Sequence, residues 1–242
     1  MKTRFISFTL YLFCNLSNPC FAETSLHISS GFTPPVSDFY RSVLVEATNR
    51  MGNISITLEA LPAERSLALA NQGINDGECC RIPSLITHEY ENLIPIDISF
   101  YNARFSAFSK QKNISSFDDL KPFSVGTVKG WKIAVTKIKE VKPREMYIVT
   151  TPDQLFQMLQ QDRIDYGVVG YLSGLQSIVN VQATDVQAIE PPLIEKPLYL
   201  LLHKKHNDLI PLFNKTLRDM LTDGSIDKIY KQLIESLKTT GH

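Results

Sequence analysis

PAERSLALANQGINDGECCRIP, Pro62 to Pro83, sets a helix directly against a strand. Pro62 suits a helix start, where a backbone N–H would have no partner anyway, and Gly73 suits its end. After Asn75-Asp76-Gly77, the run Glu78-Cys79-Cys80-Arg81-Ile82 reads as a strand. Just upstream, NISITLEAL alternates Ile54, Ile56 and Leu58, which is strand periodicity. Strand, helix and strand in that order predict a parallel pairing with a helical crossover.

The same order repeats outward in both directions. LHISSG (26–31) predicts a first strand running into the loop GFTPPVSD. A helix follows, with Ser37 as its cap, Val43, Leu44, Ala47 and Met51 on one face and Gly52 as its stop. Downstream, LIPIDISF (93–100), RFSAFSK (104–110) and FSVGTV (123–128) are expected strands. KGW turns into the helix KIAVTKIKE, and MYIVT is the next strand. Thr151, Pro152 and Gln154 spell a capping box for a helix that buries Leu155, Met158 and Leu159. IDYGVVG and PLYLLLHK are further strands. Two helices close the chain, one ending at Gly224 and one from Ser225 with Ile226, Ile229, Tyr230, Leu233 and Leu237 on a single stripe. The fold class is therefore α/β, with two similar doubly wound halves.

The first 22 residues pair Lys2 and Arg4 with an apolar run, Phe5 to Leu16, and small residues before Ala22. This is the pattern of a secretory signal peptide cut after Ala22, and its apolar run is shorter than a membrane-spanning helix needs. Twenty-five Lys and Arg balance twenty-five Asp and Glu, so there is no basic footprint for nucleic acid. Export implies an oxidising compartment. Two of the four cysteines lie in the signal, leaving Cys79 and Cys80, too few for a disulfide framework. Adjacent strand residues face opposite sides, and Cα atoms ~3.8 Å apart fall short of the usual ~4.4 Å disulfide minimum. The pair is expected to be two reduced, buried small hydrophobes, with a vicinal disulfide as the alternative. No CxxC partner or histidine cluster supports a metal, and the reading calls for no cofactor.

Five stretches in register resemble the family 3 extracellular solute-binding proteins, the periplasmic components of polar amino acid uptake systems. They are SSGFTPPVSD, ERSLALANQGINDG, SSFDDLKPFSVGTVKGW, LFQMLQQDRIDYGVVG and LIPLFNKTLRDMLTDGSIDKIYKQL. The resemblance implies a type II periplasmic binding fold, with two α/β lobes joined by two crossover strands around a ligand cleft. Lobe 1 is then 23–101 with 203–242, and lobe 2 is 102–202. It implies a periplasmic monomer that hands a small molecule to an ABC-type permease or a sensor. An exported dehydratase on the same scaffold is the enzymatic alternative, with Glu64, Glu78 and His88 as its first-lobe acid or base candidates.

Two expected features of the family are missing. The carboxylate-gripping arginine falls near His88, and the acid for the ligand's amine falls at Gly170. Neither residue can do that work. The ligand is therefore expected to be anionic, with an apolar or aromatic body. Arg81, at the end of its strand, is either a substitute grip or an ion-pair partner of Glu64 or Glu78. Phe32 is either a cleft wall or part of a plain connection. Glu64 and Arg65 start a helix whose positive end suits an acid. Lys129, Gly130 and Trp131 form a turn that offers N–H donors to an anion, with Trp131 stacking on ligand or packing on its own lobe. Tyr101 and Asn102 lie near the first crossover, and Tyr171 offers a hydroxyl in place of the missing acid. His203 and His206 in HKKH read as solvated loop residues.

Overall fold

A computed structural model describes residues 24–83, 90–111 and 114–239. The signal segment and His88 lie outside them. Among the described residues ten strands form one curled sheet, eight of them following one another along a single path while two short ones pair to its side. β1 (Thr24–Ser30) lies between β2 (Ile54–Ala60) and β3 (Gly77–Arg81), all parallel. Helix α1 (Val36–Met51) makes the crossover from β1 to β2, and α2 (Ala63–Asn71) the crossover from β2 to β3. The stretch from Pro62 to Pro83 is thus the helix-to-strand step its sequence predicts.

The second half repeats the scheme. β6 (Ser124–Val128) runs parallel to β7 (Glu145–Val149) and β8 (Tyr166–Gly170). Helices α3 (Lys132–Val141), α4 (Pro152–Gln160) and α5 (Tyr171–Asn180) flank them. Thr151 and Gln154 form the expected capping box on α4. Two long strands tie the halves together. β5 (Tyr101–Ser109) pairs antiparallel with β8, and β10 (Ile194–His203) pairs with β5 over Ile194–Leu198. From Tyr199 onward β10 pairs instead with β3 and with the short β4 (Leu93–Pro95). A two-residue strand, β9 (Gln187–Ala188), adds to β5. Between Leu198 and Tyr199 β10 thus changes partner from β5 to β3 and β4.

Burial shows which elements belong together. Leu26, Ile28, Tyr40, Leu44 and Leu200 form one core with Phe213, Leu217 and Met220 of α6 (Ile210–Thr222). Ile226 and Leu237 of α7 (Ser225–Thr239) join it, so the C-terminal helices return to the N-terminal half. In the other half, successive residues of β8 face opposite ways. Val168 packs with Ala134 and Ile138 of α3, and Val169 with Leu155, Phe156 and Leu159 of α4. The sheet there is buried on both faces, as a doubly wound sheet requires.

Several expectations need correction. α1 starts at Val36, so Ser37 lies inside the helix and is no cap; Thr33 O accepts the N–H groups of both Val36 and Ser37. LIPIDISF is a strand only over its first three residues, because β10 has partners enough beyond them. Helix α5 was not anticipated. Its Gly174 allows a close approach, since a Cβ there would stand 2.2 Å from Phe108 Cζ. Cys79 and Cys80 are not reduced and do not face opposite sides. They are disulfide-bonded across a cis peptide, with Cα atoms 3.0 Å apart, and both are fully buried. The expectation of opposite faces assumed a trans link. HKKH is not a solvated loop. His206 Nε2 and Lys205 Nζ each lie 2.7 Å from Asp76 Oδ1, in a 3-10 segment docked on the turn before β3. Asp76 also accepts the His27 N–H at 2.7 Å. Partial burial pushes its carboxyl up, but the His27 N–H, Lys205 and His206 outweigh that and hold it below its usual range.

Candidate functional site

The cleft lies where β5 and β10 pass between the lobes. The carboxyl end of β1 delivers Gly31, Phe32 and Thr33 to it. The start of β5 delivers Tyr101, Arg104 and Phe105, and the turn into α3 delivers Trp131. The step from β8 into α5 delivers Gly170, Tyr171 and Ser173. Together they enclose a cavity of about 120 Å³. Strand ends and helix starts converging on one gap is the arrangement that open α/β sheets use for ligands.

Aromatic rings form the walls. Phe32 meets Tyr40 edge-on at 5.7 Å, and Tyr40 meets Tyr101 at 5.6 Å. Trp131 meets Phe105 edge-on at 5.7 Å, and a Cβ on Gly170 would lie 3.7 Å from its ring. Trp131 thus both packs on its own lobe and lines the cleft. Burial first, and Tyr230 second, push the Tyr101 phenol well above its ordinary range, so it is a neutral hydroxyl. Gly170 stands as the N-cap of α5 with no side-chain cap, and the first turn of the helix, Tyr171 to Ser173, presents its free N–H end at the cavity edge.

Arg104 carries the charge. Its guanidinium lies 4.6 Å from the centre of the Tyr171 ring, within cation–π range. Its Nη2 donates to both carboxylate oxygens of Glu190, at 2.6 and 2.7 Å. No Asp or Glu lines the cavity among the described residues.

The expected site residues divide into two groups. Phe32, Tyr101, Trp131 and Tyr171 come together as cavity lining. Glu64, Arg65, Arg81, Lys129 and Gly130 do not line it. Glu64 and Arg65 are exposed at the start of α2, and Lys129 and Gly130 at the turn before Trp131. Glu64 Oε1 reaches across to Lys132 Nζ of the other lobe at 3.5 Å, an exposed contact at the rim. The anion-binding turn expected at Lys129–Trp131 spends the Lys129 and Trp131 N–H groups internally, and the Lys132 N–H behind them. Lys129 N–H goes to Val149 O, Trp131 N–H to Val128 O and Lys132 N–H to Gly130 O.

Of the two roles open to Arg81, the structure provides the ion pair, and with Glu78 rather than Glu64. Nη2 lies 2.7 Å from Glu78 Oε1 and donates to Ala63 O at 3.1 Å. Glu78 is fully buried and also accepts from Gly31 N–H at 3.1 Å and from the Ser66 hydroxyl. This network stands behind Phe32, whose ring centre is 6.0 Å from Arg81 Cζ. Arg104 escaped sequence reasoning. Its signal was an arginine inside an alternating strand immediately after the first crossover.

No protein-family model and no curated protein sequence matches the chain. Solved structures do. An ancestral arginine-binding protein bound to arginine superposes with a TM-score of 0.63 at 20% identity, covering 88% of this chain and 99% of that one. An arginine third transport system periplasmic binding protein from Legionella pneumophila gives 0.60 at 18%, covering 87% and 99%. A histidine kinase sensor domain similar to periplasmic binding proteins gives 0.65 at 11%, covering 88% and 96%. At these identities the likeness is one of fold. The chain has the two-lobed architecture of the type II periplasmic binding proteins.

Proposed function

We propose that the protein is a periplasmic solute-binding protein, exported by a signal peptide cut after Ala22. It captures a small anionic metabolite with an apolar or aromatic body and delivers it to an ABC-type importer. Its lobes are 23–101 with 203–242 and 102–202, and it works as a monomer that closes about β5 and β10. The observation that carries this reading is the cavity lining: one guanidinium, Arg104, amid Phe32, Tyr101, Phe105, Trp131 and Tyr171, with no carboxylate among the described lining residues. Arg104 and the first N–H groups of α5 bind the ligand's anionic group. The rings enclose its body, Tyr101 supplies a neutral hydroxyl, and Tyr171 adds a second hydroxyl. An ammonium group would have no acid to meet, which disfavours a zwitterionic amino acid. Glu64 meets Lys132 across the rim, and Arg81 stands behind the Phe32 wall.

Several solved neighbours are described as amino acid transporter binding proteins, which supports delivery to an importer. The histidine kinase sensor domain with this fold supports a second reading, in which the same capture feeds a sensory partner. Mass spectrometry of whatever co-purifies with the mature protein, followed by calorimetric titration, tests the proposal. A carboxylate or other anion is expected, with Arg104→Gln abolishing its binding. A zwitterionic or cationic ligand held equally well by Arg104→Gln would overturn it.

A further inference from the structure

We infer that Glu190 is an affinity-setting residue, an internal competitor for Arg104 that a ligand must displace. The inference rests on the proposed anion site. Arg104 is the cation of that site, yet its Nη2 is shared between both Glu190 oxygens at 2.6 and 2.7 Å. Glu190 comes from the loop between β9 and β10, does not line the cavity, and keeps about half its side chain in water (54% exposed). Arg104 is the more enclosed partner, at 25% exposure, fixed against the Tyr171 ring. The two ends of the pair therefore differ in what they lose on separation. Glu190 can swing out and hydrate fully. Arg104 cannot, and needs a replacement anion.

That asymmetry makes the pair a threshold that every anionic ligand must cross. A ligand carboxylate restores to Arg104 what Glu190 gave it, so the exchange is nearly balanced, and contact with the aromatic walls supplies the net gain. A neutral ligand of the same shape leaves Glu190 in place and meets a guanidinium already satisfied. Glu190 thus lowers affinity for every ligand that uses Arg104 while keeping a vacant cation from attracting passing small anions. The coulombic attraction of Glu190 for Arg104 sets the threshold a ligand must exceed.

Trp131 is the one tryptophan of the chain and lines the cavity, so its fluorescence reports occupancy directly. The test titrates phenylacetate, and separately the neutral phenylacetamide, into four proteins: parent, Glu190→Gln, Arg104→Gln and the double variant. Removing a half-exposed competing charge should tighten phenylacetate binding by about two- to fivefold in Glu190→Gln. Phenylacetamide binding should stay unchanged, which a merely structural effect would not achieve. Arg104→Gln should lose phenylacetate, and the double variant should behave like it. If Glu190→Gln binds phenylacetate no better than the parent while Arg104→Gln still loses it, the competitor role is wrong and the anion site stands. If Arg104→Gln binds like the parent, or no protein responds to phenylacetate, the anion site fails and the competitor role fails with it.

Discussion

Replacing Arg81 by methionine removes the guanidinium and keeps much of the side chain's length and volume. Glu78 would then stay fully buried with only the Gly31 N–H and the Ser66 and Ser29 hydroxyls around it. Removing one partner of a buried ion pair typically costs ~3–5 kcal/mol. For a chain of this size each kcal/mol moves the melting point by roughly 2–4 °C, so a fall of about 6–20 °C is expected near pH 8. The deficit must depend on pH. Burial already pushes the Glu78 carboxyl above its usual range, and Arg81 pulls it back down. Without Arg81 it rises further. A carboxyl whose folded pKa exceeds its unfolded value favours folding most below the unfolded pKa, ~4.3 for glutamate, and loses that contribution as pH climbs through the folded one. The variant's deficit should therefore be small at pH 5 and large at pH 8. Urea unfolding of parent and variant at both pH values measures it. An equal deficit at the two pH values, or one below ~1 kcal/mol at pH 8, would refute the reasoning, since a buried unpaired carboxylate cannot behave so. Adding Glu78→Leu to Arg81→Met should restore most of the loss, because replacing both charges with apolar groups is often close to neutral.

Two further outcomes follow from packing alone. Gly174→Ala places a methyl 2.2 Å from Phe108 Cζ in the lobe 2 core, so it should destabilise by ~1–3 kcal/mol in thermal or urea unfolding. Cys79→Ala with Cys80→Ala alters two fully buried residues that do not line the cleft. It should lower stability by ~1–2 kcal/mol and leave titrated affinity unchanged.

The fold was legible because its signals are local. Helix and strand alternate with the right periods from Leu26 to His203, and caps such as Thr151-Pro152-Gln154 are spelled out in four residues. The misreadings fall where distant chain decides. Nothing near Ile96–Phe100 says that β10 already has neighbours along that length. Nothing in Tyr171–Asn180 looks strongly helical, since Gly174, two serines and a β-branched pair weaken the pattern. It is a helix because Leu172 and Leu175 find the lobe 1 core and Gly174 lets Phe108 come close. The cysteine pair was misjudged for another reason: strand alternation was applied across a peptide bond taken to be trans.

The site divides along the same line. Phe32, Trp131 and Tyr171 could be picked from sequence because each follows a strand and precedes a helix, and in a doubly wound half such junctions face the cleft whatever the rest of the chain does. Arg104 could not be placed that way. It lies inside a strand, where an arginine among alternating residues ordinarily marks the solvent side. It faces the cavity because β5 runs between the lobes with β8 on one edge and β10 on the other, partners 59 to 97 residues away in sequence. Its charge partner Glu190 comes from 86 residues away, in a stretch with no motif. A binding site built on crossover strands is thus hidden from local reading in proportion to how many strands must pair before it exists. Here the walls are set by junctions, and the charge that selects the ligand is set by pairing.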